Sequence, residues 1–421
     1  FGGASATVSI ATSGTGFTSA PTITISGSTS GTAAVITPTF YAGVDPIRGL
    51  HSWRLSTGVR YLAVGSVQSL RLWDGSQSAG VNAPIYDITP TSPAGAVPFE
   101  AQDDFQISGL GYGALEYGGD TGVTNFDDST GSTAGGDIYG TPRYPPEDPN
   151  VNDPDAFRDN FASCVSFDNF GDDLLACHSG EGTIWYLDVS GMSFTNSNQT
   201  ATAPVALQTL SGSTGVPTSS NVAVLVTQER HIMILGPGGA QRTIQWGSQE
   251  SLIDFTPSLV NTAGDIELQT KGRIIGGFKT RYGVLIFTTS DVWRTNYLGP
   301  PYVYGTERLT EGGGPVGMKS IAGSADFVAW LSRGRFWSYT GGYIKELVCD
   351  VGDYVFADIN LDIEGLIAAG HNSDFGEITW FYPREGDSVC TRYVTYSYRE
   401  QHWVTGELER VALEPSDALG Y

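Results

Sequence analysis

The sequence predicts an all-β chain, on three observations. Glycine is abundant, 55 of 421 residues, while charged residues make up only 16%; many strands joined by tight turns produce that bias, and long helices do not. Windows with a helical hydrophobic period are missing, apart from a modest one at Asp358–Ala369. A loose unit of apolar strand, polar or glycine turn and aromatic-bearing strand recurs from about residue 50 onward. An apolar content of 40% is enough for a substantial core.

Residues 1–45 read as a small N-terminal β-hairpin unit. The run ATVSIATSGTGFTSAPTITISGSTSGTAAVITPTF alternates small polar and β-branched residues around glycine turns. It is too poor in large apolar side chains to bury much surface alone, so it is expected to lie on the main domain or a neighbouring subunit.

The repeated units follow within residues 46–421. They are RYLAVGSVQSLRLWDGS (60–76, closed by IYDITP), DDLLACHSGEGTIWYLDVS (172–190) and NVAVLVTQERHIMILGPGG (221–239, followed by RTIQW). Then come RYGVLIFTTSDVWRTNYLG (281–299), DFVAWLSRGRFWSYTGGYIKEL (326–347) and GEITWFYPREGDSVCTRYVTYSYREQHW (376–403). From the second unit on they recur every ~45 to 60 residues, the spacing of propeller blades. The expected architecture is a six-bladed β-propeller, with the first strand of each quoted hairpin innermost. Between the first two units, residues 90–165 are dense in Gly, Pro, Asp and Asn. They read as an irregular insertion, a strap ordered by partners, with Tyr112, Tyr117, Tyr139 and Tyr144 among its aromatic anchors.

Charge narrows the function. The 22 basic and 45 acidic residues give a net charge of −23, which argues against a surface that grips nucleic acid. No stretch approaches the ~18 to 20 apolar residues of a membrane span. Cys164, Cys177, Cys349 and Cys390 match no zinc spacing and read as free, mostly buried thiols.

No catalytic, cofactor or metal site is expected. The histidines His51, His178, His231, His371 and His402 are scattered over different units, and His231 sits in an apolar strand. Asp148, Asp153 and Asp155 are the carboxylates a calcium ion would use, but solvated turns explain them better. Glu377, Glu400 and Asp291 would have to converge for glycoside hydrolysis, and no spacing brings them together. SGEGTIW (179–185) resembles a sialidase Asp-box only loosely, with Glu181 in place of Asp. Trp330, Phe336, Trp337, Trp380 and Phe381 lie in strand patterns and are expected to pack between blades. The segment YLGPPYVYG (297–305) is rich in proline and tyrosine, which lose little entropy on docking. Tyr297, Pro300, Pro301, Tyr302 and Tyr304 are therefore subunit-contact candidates.

From about Val226 to Trp403 the chain resembles the tail hub or nozzle proteins of short-tailed bacteriophages, the packaged-DNA stabilisation family. The likeness lies in QERHIMILGPGGAQRTIQWGSQESLIDFTP, AGDIELQTKGRIIGGFKTRYGVLIFTTSDVWRTNYLGPPYVYGTERL, CDVGDYVFADIN and FGEITWFYP. These motifs are structural and name no site. The resemblance implies a virion protein made in the bacterial cytoplasm, without enzymatic activity or cofactor. It implies a homo-hexameric ring below a head-to-tail adaptor, with a needle, fibre or tailspike as further partners. DNA would pass through the lumen without specific binding, and an acidic lining suits such a conduit. The alternative is a glycan-binding or glycan-cleaving propeller of a phage tail.

Overall fold

The structure is a computed structural model. It describes residues 47–66, 69–75, 85–90, 164–190, 192, 203–387, 389–410 and 412–413. The chain divides into Phe1–Asp45 and Pro46–Tyr421, and every described residue belongs to the second unit. The expected N-terminal β unit, nearly all of the 90–165 insertion with its four tyrosines, and Asp148, Asp153 and Asp155 lie outside the described residues.

Six four-stranded antiparallel sheets make up this unit. The first is β1 (Ile47–Arg54), β2 (Arg60–Ser66), β3 (Leu70–Asp74) and β4 (Ile85–Asp87). The second is β5 (Val165–Phe170), β6 (Asp173–His178), β7 (Ile184–Leu187) and β8 (Val205–Ala206). The third is β9 (Ala223–Val226), β10 (Ile232–Leu235), β11 (Thr243–Trp246) and β12 (Gly264–Glu267). The fourth is β13 (Ile274–Thr280), β14 (Gly283–Thr288), β15 (Asp291–Gly299) and β16 (Val303–Glu311). The fifth is β17 (Ile321–Gly323), β18 (Phe327–Ser332), β19 (Arg335–Thr340) and β20 (Tyr343–Leu347). The sixth is β21 (Ala368–Asn372), β22 (Glu377–Tyr382), β23 (Arg392–Ser397) and β24 (His402–Glu407). Each sheet is a simple meander, and together they form the ring of a six-bladed β-propeller.

Burial corrects one expectation. In most blades the long apolar runs are second strands and not innermost ones: β10 (IMIL), β14 (GVLIFT) and β18 (FVAWLS) are buried on both faces. A second strand is sandwiched between neighbouring blades, so it reads as continuous hydrophobicity. Inner strands meet across blades: β1 meets β5, β5 meets β9, β9 meets β13, and β17 meets β21. Facing the axis, several of them carry mixed sequences such as IRGLHSWR, half-buried along most of its length. The helical window expected at Asp358–Ala369 is displaced. An α-helix, α1, spans Gly352–Asp358, and a 3-10 turn follows at Leu361–Leu366.

Apolar clusters fill the blade seams in turn. Trp53, Leu72 and Trp185 join blades one and two, and Leu175, Ile184 and Ile234 join two and three. Leu235, Ile286 and Trp293 join three and four, Phe287, Trp330 and Tyr339 join four and five, and Phe336, Trp380 and Tyr382 join five and six. The expected interblade role of the strand aromatics is met by Trp330, Phe336 and Trp380, whereas Phe381 is buried but meets Tyr393 within its own blade. Among the described residues no such cluster joins blade six to blade one. Each of these two blades is completed by its own four strands, so no strand is shared across that seam.

Candidate contact face and central cavity

A meander of four strands places its first-to-second and third-to-fourth turns at one end. In a ring of parallel inner strands those turns share one face of the propeller, and cross-blade bonds confirm the alignment. Ser56 in the β1–β2 turn donates its amide to Asp172 in the β5–β6 turn at 2.9 Å. Arg281 in the β13–β14 turn pairs with Asp326 in the β17–β18 turn at 2.9 Å.

This turn face collects most of the exposed large apolar side chains. Leu259 and Val260 stand fully out of the β11–β12 connection, and Tyr282 out of the β13–β14 turn. Leu298 and Tyr302 project from the β15–β16 hairpin, Tyr343 from the β19–β20 turn and Phe375 from the β21–β22 turn. The charges beside them are satisfied within the face: Arg230 binds Glu250 at 2.7 Å, and Arg281 binds Asp326. Leu259, Val260, Tyr282, Tyr343 and Phe375 escaped sequence reasoning, because a lone apolar residue in a turn resembles any other until the turns are assigned to one face.

The β15–β16 hairpin separates the contact candidates. Tyr302 is 77% exposed and Tyr297 partly so, whereas Tyr304 is only 5% exposed. Tyr304 is therefore not available to another subunit. Its ring lies edge-on to Trp246 and His231, at centroid distances of 5.1 and 5.3 Å. Its hydroxyl bonds Thr227 Oγ1 at 2.7 Å and donates to Glu229 Oε2 at 3.3 Å. Burial and the Glu229 carboxylate raise its phenol above the ordinary tyrosine range. Tyr304 thus pins the hairpin of blade four onto blade three, leaving Leu298 and Tyr302 outermost. Val303, between Tyr302 and Tyr304, holds a left-handed φ of 60°, a costly conformation for a β-branched residue that the docked hairpin imposes.

The axis of the propeller is bridged by side chains. Asp168 on β5 binds the Lys279 ammonium on β13 at 2.6 Å and accepts the Val226 amide of β9 at 2.7 Å. One carboxylate thereby ties together blades two, three and four. Toward the opposite face lies a cavity of about 220 Å³. Arg48, Gly49 and Leu50 line it from blade one, Lys319 and Ile321–Gly323 from blade five, and Ala368–His371 from blade six. Phe278, Met318 and Leu413 complete its apolar wall. Leu413 fits Gly370 closely, since a Cβ there would lie 2.3 Å from Leu413 Cδ2. Lys319 Nζ donates to the Ile47 carbonyl at 3.0 Å, reaching from blade five to blade one. Burial, aided by the Arg48 charge, pulls its pKa down to about 8. Burial and the same cations hold His178 down to about 4, a neutral imidazole at physiological pH.

The structure does not bring the three glycosidase carboxylates together, since Asp291 lies in blade four and Glu377 and Glu400 in blade six. Asp291 is buried in the β14–β15 turn, its carboxylate accepting from Thr270 Oγ1 at 2.8 Å. Glu400, in the β23–β24 turn 3.3 Å from His402 Nδ1, stands at the same end of blade six as Glu377, which lies opposite Ser397 in the β22–β23 register. Glu181 in the Asp-box-like turn accepts Trp185 Nε1 at 3.2 Å. His231 is buried, its Nδ1 facing the Gly247 carbonyl at 2.9 Å. All four cysteines are free thiols, Cys164, Cys177 and Cys390 buried and Cys349 partly so. No helix among the described residues is long and apolar enough to cross a membrane.

Comparison with known proteins finds likeness in structure alone. The chain is similar to a streptogramin B lyase structure, with 11% identity and a TM-score of 0.42, over 89% of each chain. It is also similar to the Cps50 (Swd1) β-propeller domain of Myceliophteria thermophila, with 10% identity and a TM-score of 0.41, over 90% of this chain and 92% of that one. The Pan2 WD40 domain of Neurospora crassa matches with 7% identity and a TM-score of 0.41, over 87% and 82%. No family model and no curated protein matches the sequence.

Proposed function

We propose that the protein is a structural virion component, a tail hub or nozzle subunit that assembles into a homo-hexameric ring beneath the adaptor and conducts DNA outward. The apolar turn face carries this reading. Aromatic side chains bury roughly 150–250 Å² each, so Tyr282, Tyr302, Tyr343 and Phe375 together approach the ~800 Å² per partner of a stable interface. Their neighbouring charges are paired within the face, so docking would desolvate few unpaired ions. The sequence resemblance between Val226 and Trp403 supplies the virion setting, and the charge of −23 suits a wall that DNA slides past.

In this reading the lumen lies between copies. The axis of a single propeller is crossed by the Asp168–Lys279 pair and cannot be a DNA path. A closed ring needs two different patches meeting head to tail, and the turn face is one of them. Electron microscopy of the chain mixed with its adaptor ring tests the proposal. Six-fold rings are expected; monomers or trimers that turn over polysaccharide would replace it with the glycan-cleaving alternative.

A further inference from the structure

Beyond Glu407 the chain leaves the outermost strand of blade six and reaches the innermost one by Leu413. Two backbone bonds guide it. Leu408 donates its amide to the Thr391 carbonyl at 3.0 Å, and Arg410 donates to the Cys390 carbonyl at 3.3 Å. Both acceptors lie in the β22–β23 connection, at the end of the blade opposite the turn face. Leu413 then seats on Gly370 of β21, where a Cβ would lie 2.3 Å from Leu413 Cδ2 and 2.4 Å from its Cβ and Cγ. The reach is sufficient. Neighbouring strands stand ~4.8 Å apart, so the path across four strands is about 14 Å, and six extended residues span about 20 Å.

Gly370 serves this contact and not a turn. Its φ is not left-handed, so the missing side chain provides room for a close approach. Leu413 ends between blades, lining the central cavity with Gly49 and Leu50 of β1, Val165 of β5 and Ala369 of β21. Among the described residues the segment joins no ladder after Glu407, and Leu413 keeps 38% exposure. It is held by two amides and one leucine, a set of contacts weak enough to open locally. We propose that residues 408–413 are a latch fastening blade six to blade one, an apolar side chain standing where a shared strand would close the ring. Release of Leu413 would let this seam part while the other five, each with its own apolar cluster, stay packed.

Hydrogen exchange by mass spectrometry and thermal unfolding of full-length variants test the latch. Leu413→Gly should accelerate exchange at least about tenfold in β1 and β21, leave β14 of blade four unchanged and lower the unfolding midpoint by a few degrees. Leu413→Met, of similar volume, should exchange as wild type does. Gly370→Ala should reproduce the Leu413→Gly pattern by expelling the leucine. Combined with Leu413→Gly it should add little, because the atoms it strikes are gone. Unchanged exchange in β1 for Leu413→Gly, equal acceleration in β14, or additive effects in the double variant each overturn the proposal. Should Leu413→Gly fail to fold, Leu413→Ala is read in its place, with acceleration again required in β1 and β21 and excluded in β14.

Discussion

Replacing Tyr304 with alanine is the sharpest probe of how the contact hairpin is held. The side chain is 5% exposed and packs on Trp246 and His231 across the seam between blades three and four, and on Tyr297 of its own hairpin. Removing a large buried aromatic costs ~3–5 kcal/mol, of which edge-to-face contacts supply ~0.5–1.5. The hydroxyl contributes separately. Thr227 Oγ1 accepts the His231 amide at 3.2 Å, which leaves its own proton for Tyr304. Tyr304→Phe orphans that proton at a cost of about 1 kcal/mol. Equilibrium unfolding in guanidinium gives both differences, and hydrogen exchange reads the amides of residues 297–304. The expected order is wild type, then Tyr304→Phe, then Tyr304→Ala, with exchange in the hairpin accelerated more than in blade six. A loss below about 1 kcal/mol for Tyr304→Ala, or hairpin exchange unchanged, would refute the pinning argument.

Four further outcomes follow from the same geometry. Gly182→Ala should destabilise by at least ~2 kcal/mol in thermal unfolding, because φ is +76° and a Cβ would lie 2.2 Å from the Asn221 amide nitrogen. Asp168→Ala strips partners from the Val226 amide and from Lys279; about 1–3 kcal/mol should be lost, the Lys279 share reduced by its exposure. Tyr302→Asp with Tyr343→Asp should leave the midpoint of the isolated chain nearly unchanged while abolishing ring formation in analytical ultracentrifugation, since both side chains are exposed. Lys319, held down to about 8 from 10.5, is a burden while charged. The folded state binds fewer protons than the unfolded state between those values, so stability from this residue rises with pH there. The stability gap between Lys319→Met and wild type should therefore shift in favour of wild type from pH 8 to pH 10, as read by parallel denaturation curves.

The repeat was legible because most blades have a strand buried on both faces. Runs such as VLIF in β14 and VAWL in β18 announce themselves as unbroken hydrophobicity. The innermost strands were not legible as such: β1 and β21 face an axis lined by glycine, alanine and histidine, and their sequences look like turns. The hairpin at 297–305 was recognisable from its prolines and tyrosines, but two tyrosines only two residues apart end in opposite environments. Tyr302 leads the tip, whereas Tyr304 turns toward Thr227 once Val303 takes its left-handed φ. Lys319 carried no signal, because a lone lysine after a Gly-rich stretch reads as solvated until β17 and β1 enclose it.

Native mass spectrometry of the full chain with and without the adaptor tests the central proposal most directly. The account predicts a single adaptor-bound species carrying six copies of the 44.7 kDa chain, lost when Tyr302 and Tyr343 are both replaced by aspartate. A chain that remains monomeric with the adaptor, or assembles in six copies regardless of those substitutions, contradicts it.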